Sequence, residues 1–185
     1  SISVINRYIS DPFSDDHPVE LLDGYVYRVR MMNPSANAAT RVGFVYNFQD
    51  PANYYELVLS PTGVVQARRV IAGAVSVVFE APYSESRPNR WLDAVLYANG
   101  TKMQLVVNGN SIVSGLQQSE LPKGRLGLIA HGTSAKFDNV KIDLPTDSPL
   151  KETFNDGLAQ RFPNGVDSNN WKIENGVLEN FTVLQ

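Results

Sequence analysis

Short runs of alternating apolar and polar residues, each closed by turn chemistry, constrain this chain's fold most strongly. Tyr25–Met31, Val42–Phe48 and Tyr54–Ser60 all alternate with period two. That spacing turns one set of side chains inward and the other outward along a strand. Val64–Ile71, Val75–Glu80, Trp91–Ala98, Lys102–Val107, Ser111–Ser114, Arg125–His131 and Phe137–Ile142 follow as further strands. Between them stand Pro61-Thr62-Gly63, Ala72-Gly73, Asn99-Gly100, Asn108-Gly109 and Pro122-Lys123-Gly124. Gly, Pro and Asn supply the backbone angles that tight turns need. These signals recur about every 8–12 residues, the spacing of a sandwich or jelly roll. No segment carries a three-turn helical stripe, and Ser114–Glu120 is expected to add one short helical turn.

At 185 residues the chain suits one all-β domain, large enough for a core without staples. The absence of cysteine excludes disulfides, thiolate zinc sites and a Cys nucleophile. Sixteen basic residues against nineteen acidic ones, with no basic run, make nucleic acid an unexpected partner. No apolar stretch nears the roughly 18 residues of a transmembrane helix, so none is expected.

The last segment reads like the opening of a domain. Glu152–Gly157 is ETFNDG, and Asn169–Glu179 is NNWKIENGVLE. Asn175-Gly176 is a strong hairpin turn signal. A piece this short cannot build its own core. We therefore expect residues 1–185 to form one sandwich, with a main body at 1–143 and a linker at 144–150. Residues 151–185 then supply strands that complete the same sandwich or, by strand exchange, that of a neighbouring copy. The chain reads as circularly permuted, or as one unit cut out of phase from a tandem array.

A set of motifs resembles the concanavalin A-like (laminin-G-like) jelly rolls of bacterial surface proteins and polysaccharide-degrading enzymes. The motifs are Phe154-Asn155-Asp156-Gly157, Trp171 through Asn175-Gly176, Gly43-Phe44-Val45-Tyr46 and Asp50-Pro51-Ala52-Asn53-Tyr54-Tyr55. They continue with Trp91, Val107-Asn108-Gly109, Gly124-Arg125-Leu126-Gly127-Leu128 and Phe137-Asp138-Asn139-Val140. Apart from the rotation their order is that of the family. The resemblance implies an all-β, two-sheet antiparallel jelly roll. It also implies an extracellular or cell-surface setting and a calcium ion near the opening and closing strands, at Asp138 with Glu152 or Asp156. Where the family often carries Arg, this chain has Asn47.

Alternation places Phe44, Tyr46 and Phe48 inward, and Asn47, Tyr54, Glu56, Arg68, Tyr97, Gln104 and His131 outward. On one face, that set would suit a polysaccharide or glycan. Aromatic rings stack on the apolar side of a sugar, and amides and charged groups pair with its hydroxyls. The competing reading is a solvated sheet face with ordinary cross-strand polar pairs. A retaining glycosidase needs two carboxylates about 5 Å apart, and no Glu-x-Asp-x-Glu run supplies them from one strand. Nor does a Gly-x-Ser-x-Gly elbow or a zinc spacing occur. Carbohydrate binding without catalysis is the leading expectation. A glycoside hydrolase or polysaccharide lyase is the first alternative, and a structural or adhesion repeat the second.

Overall fold

The computed structural model describes residues 5–9, 24–143, 150–152, 171–174 and 177–180. They form fourteen strands: β1 (Ile5–Ile9), β2 (Gly24–Met32), β3 (Arg41–Asp50), β4 (Asn53–Ser60), β5 (Val64–Ile71), β6 (Ala74–Pro82), β7 (Trp91–Asn99), β8 (Lys102–Val107), β9 (Asn110–Gln117), β10 (Arg125–His131), β11 (Lys136–Asp143), β12 (Leu150–Glu152), β13 (Trp171–Glu174) and β14 (Val177–Asn180). The ten expected strands of the main body match β2 to β11 to within a few residues at each end. One expectation fails. Ser114–Glu120 opens no helical turn, because β9 runs on to Gln117. Gly115 (φ +67°) absorbs the extra residue as a bulge, which lets the strand continue.

Two antiparallel sheets pack face to face. Six strands run in the order β1-β10-β3-β4-β5-β6, and eight in the order β13-β14-β11-β2-β7-β8-β9, with β12 also on β11. The outer edge of β11 carries two short strands in succession. β14 pairs at Lys136–Phe137 and β12 at Val140–Ile142. Leu178, opposite Phe137, is buried in the main core, and burying a leucine stabilises a fold by about 1.5–3 kcal/mol. β13 pairs with β14 so that Glu174 faces Val177, the register of a two-residue hairpin loop.

The core lies between the sheets. Tyr25, Tyr27, Val29 and Met31 from β2 meet Val42, Phe44 and Tyr46 from β3 and Tyr55, Leu57 and Leu59 from β4. Tyr27 and Phe44 pack with ring centroids 4.9 Å apart.

Phe48 departs from the alternation. Asn47 adopts φ +49°, and the β3–β4 register slips between Tyr46 and Asp50. The bulge turns Phe48 to the outer face, where it joins Val45, Tyr54, Val58, Val70 and Ile129 in a second, smaller apolar cluster. Gly124 makes room for the bulge. A Cβ there would sit 2.6 Å from the Phe48 carbonyl oxygen and 2.7 Å from the Asn47 carbonyl carbon.

Candidate functional site

The outer face of the six-stranded sheet carries a charged cluster on that second apolar ground. Glu56 lies midway along β4, opposite Val45 on β3 and Arg68 on β5. Its side chain is fully buried. Arg68 Nη1 lies 2.9 Å from Glu56 Oε1, an ion pair without the alignment of a hydrogen bond. His131 Nε2 donates to Glu56 Oε2 at 3.0 Å. A carboxylate withdrawn from water is costly unless it is paired, and here a guanidinium and an imidazole hold its two oxygens.

The strand order makes this contact. His131 on β10 is level with Arg41 of β3, and Glu56 on β4 is level with Val45. The line between them crosses β3 at Gly43, which brings no side chain into the path. A Cβ at Gly43 would lie 2.0 Å from the Leu57 carbonyl oxygen, so the strands can run this close only with glycine there.

A second polar chain runs alongside. Arg41 Nε donates to Gln66 Oε1 (3.2 Å), and Gln66 Nε2 donates to Glu80 Oε2 (2.7 Å). Arg41 Nη1 donates to the carbonyls of Ala38 and Thr40. Burial first, and the charge of Arg68 second, hold the Arg41 guanidinium below the ordinary arginine value, while Glu56 and Glu80 act the other way. Over β10, β3 and β4 the face is closed, with Val45, Val58 and Ile129 fully buried. Over β6 it is open, with Val75 and Val77 about half exposed. Arg68 lies at the margin, and its buried Nε has no hydrogen-bond partner among the described residues. The cluster therefore presents guanidinium and amide groups above a fixed carboxylate, chemistry suited to hydroxyl or carboxylate ligands.

Of the seven residues expected on one face, Glu56, Arg68 and His131 converge. Tyr54 shares their face but is buried against Phe48, ring centroids 5.9 Å apart. Asn47 sits in the bulge, where its Nδ2 donates to the Leu121 carbonyl at 3.5 Å. Tyr97 and Gln104 are cross-strand neighbours on the other sheet, away from this cluster. Of the three expected calcium ligands, Asp138 Oδ1 accepts the Asn139 N–H at 2.8 Å, with Asn139 at φ +52°. Glu152 is placed by its backbone pairing with Val140, and Asp156 lies outside the described residues. Among the described residues no three His, Asp or Glu side chains converge as a metal cage.

The expected set omits Arg41, Gln66 and Glu80. A signal for two of them is present: Gln66 stands two residues before Arg68, and Arg41 two before Gly43, each with the same outward parity.

In fold the chain is similar to the carbohydrate binding module CBM66 from Bacillus subtilis (TM-score 0.59, 18% identity, covering 65% of this chain and 75% of that one). It is also similar to sheep galectin-11 in complex with glycerol (0.54, 12%, 78% and 98%). A third similar structure is a toad ovary galectin in complex with thio-digalactose (0.53, 9%, 77% and 99%). At these identities the likeness is one of fold. No curated protein matches the chain. The family model of the 3-keto-alpha-glucoside-1,2-lyase-like domain matches residues 18–143, every strand of the main body from β2 to β11. The chain thus belongs to the 3-keto-alpha-glucoside-1,2-lyase-like domain family, within the concanavalin A-like folds.

Proposed function

We propose that this protein binds a glycan, without catalysis, on the outer face of its six-stranded sheet. Arg41, Gln66, Arg68 and Glu80 make the contacts, and Glu56 and His131 hold them from beneath. The observation that carries this reading is the buried Glu56 carboxylate, which pins the Arg68 guanidinium beside an open strip. A pre-placed guanidinium loses little freedom on binding a hydroxyl pair. The sugar-binding neighbours of the same fold support the reading. A glycan array probed with the parent, Arg41→Ala and Gln66→Ala tests it, with folding checked by thermal melts. Each variant should lose about tenfold in signal, the value of one charge-assisted hydrogen bond. Parental signal from both would remove this face from the account.

A second reading is favoured by the family description, which names a lyase acting on a 3-keto-alpha-glucoside. His131 held by Glu56 has the form of a base with its orienting partner. Burial weighs against it, since both side chains are almost wholly screened from solvent. Release of product from a 3-keto-alpha-glucoside by the parent, abolished in His131→Gln, would put this reading first. A structural calcium at Asp138 is a separate proposal; equilibrium dialysis that detects no bound calcium ends it.

A further inference from the structure

The outer face of the eight-stranded sheet has its own cleft, of about 610 Å³, a size within the usual range for small-ligand sites. One continuous row of residues crosses it. Asp143 on β11 faces Val26 on β2, Val26 faces Tyr97 on β7, and Tyr97 faces Gln104 on β8. Beyond Gln104 the β8–β9 register slips, and Ser114 and Gly115 of the bulge line the cleft. Gly115 has nothing within 4 Å of where a Cβ would be, so the bulge leaves space there. Lys102, at the start of β8, lines the same end.

We propose that this cleft is a second saccharide site that takes a pyranose, its ring stacked on Tyr97. Tyr97 is 37% exposed, unusual here for a large aromatic, and a flat ring open to solvent suits the C–H face of a sugar. Gln104 Nε2 donates to Ser111 Oγ at 3.2 Å, which leaves its Oε1 to accept a ligand hydroxyl. Asp143 lies 3.2 Å from Lys141 Nζ and 3.6 Å from Arg28 Nε. These two cations keep the Asp143 carboxylate fixed at its end of the cleft, where it can accept a ligand hydroxyl. The site shares no residue with the Glu56 face and stands whether or not that face binds glycan.

The test is saturation-transfer NMR with glucose, galactose and cellobiose as probes, in an Arg41→Ala background that weakens the first face about tenfold. Tyr97→Ala, Tyr97→Phe and Gln104→Ala are added singly. At least one probe should still bind the Arg41→Ala protein. Tyr97→Ala should weaken it about tenfold, as expected for a lost stacking aromatic, and Tyr97→Phe should keep it within about twofold. Gln104→Ala should weaken it as well. The inference is overturned if no probe binds in the Arg41→Ala background, or if Tyr97→Ala binds as its parent does. The first of these outcomes leaves the Glu56 face untouched; failure of the earlier glycan array leaves this cleft untouched.

Discussion

The two sheets share one core but treat their outer faces oppositely. On the six-stranded sheet, β4 is buried at seven consecutive positions and β10 at six. Its central charge, Glu56, has no solvent exposure and is held from two sides. On the eight-stranded sheet, β2 and β7 alternate between buried and accessible positions. Its charges sit in exposed pairs, Arg28 with Asp143 and Arg30 with Asp93, and Arg30 stacks over Trp91 at 5.0 Å. A buried pair fixes geometry and is costly to break, whereas an exposed pair is screened and contributes little. The first face is therefore built to hold side chains in one arrangement. The second leaves them free to adapt to what lands there.

Substitutions can break or sharpen that contrast. Gly43→Ala should have the largest effect, because its Cβ would overlap the Leu57 carbonyl and push β3 from β4. We expect a loss above about 4 kcal/mol in urea unfolding, or no folded protein. Arg68→Ala should cost about 3 kcal/mol, the low end for a broken buried pair, since Glu56 stays buried with only the His131 imidazole beside it. Arg28→Ala, the matching change on the other sheet, should cost no more than about 1 kcal/mol. Equal losses from the two arginines would erase the distinction between the faces.

The shared core predicts a smaller, graded effect at alkaline pH. Burial raises the pKa values of Tyr25, Tyr27 and Tyr46 above the ordinary 10.0. These groups stay protonated when folded, while the unfolded chain loses their protons from about that pH upward. Their stabilisation is complete below pH 10.0 and drains as pH climbs toward the folded values. Each should remove about 1.4 kcal/mol per pH unit. Tyr27→Phe should flatten the alkaline limb of a stability profile by one such share. An unchanged slope would show that Tyr27 ionises freely in the folded protein.

Much of the architecture is legible in the alternation, because turn residues such as Asn108-Gly109 and Pro61-Thr62-Gly63 end strands where backbone geometry demands it. What alternation conceals is the second buried face. YYELVLS and RLGLIAH are nearly unbroken apolar runs, the mark of strands covered on both sides. Read strictly by period two, Tyr54 and Ile129 look solvated. Phe48 escapes the pattern because the Asn47 bulge inverts parity, and a bulge at Asn has no unique sequence mark. The pairing of Glu56 with His131 depends on β10 lying beside β3, a long-range fact that no local spacing carries. For the same reason Tyr97 and Gln104 read as part of one site with Glu56, although they share its outward parity but not its sheet.

The central claim is that a ligand meets Arg68 at the margin of the Glu56 cluster. The Arg68 Nε–Hε resonance reports on it directly, because Glu56 fixes this guanidinium beside the open strip. Adding whichever glycan scores highest on the array should shift this signal, and the shift should saturate with the binding curve. A saturable glycan that leaves the Arg68 resonance unmoved would contradict the account.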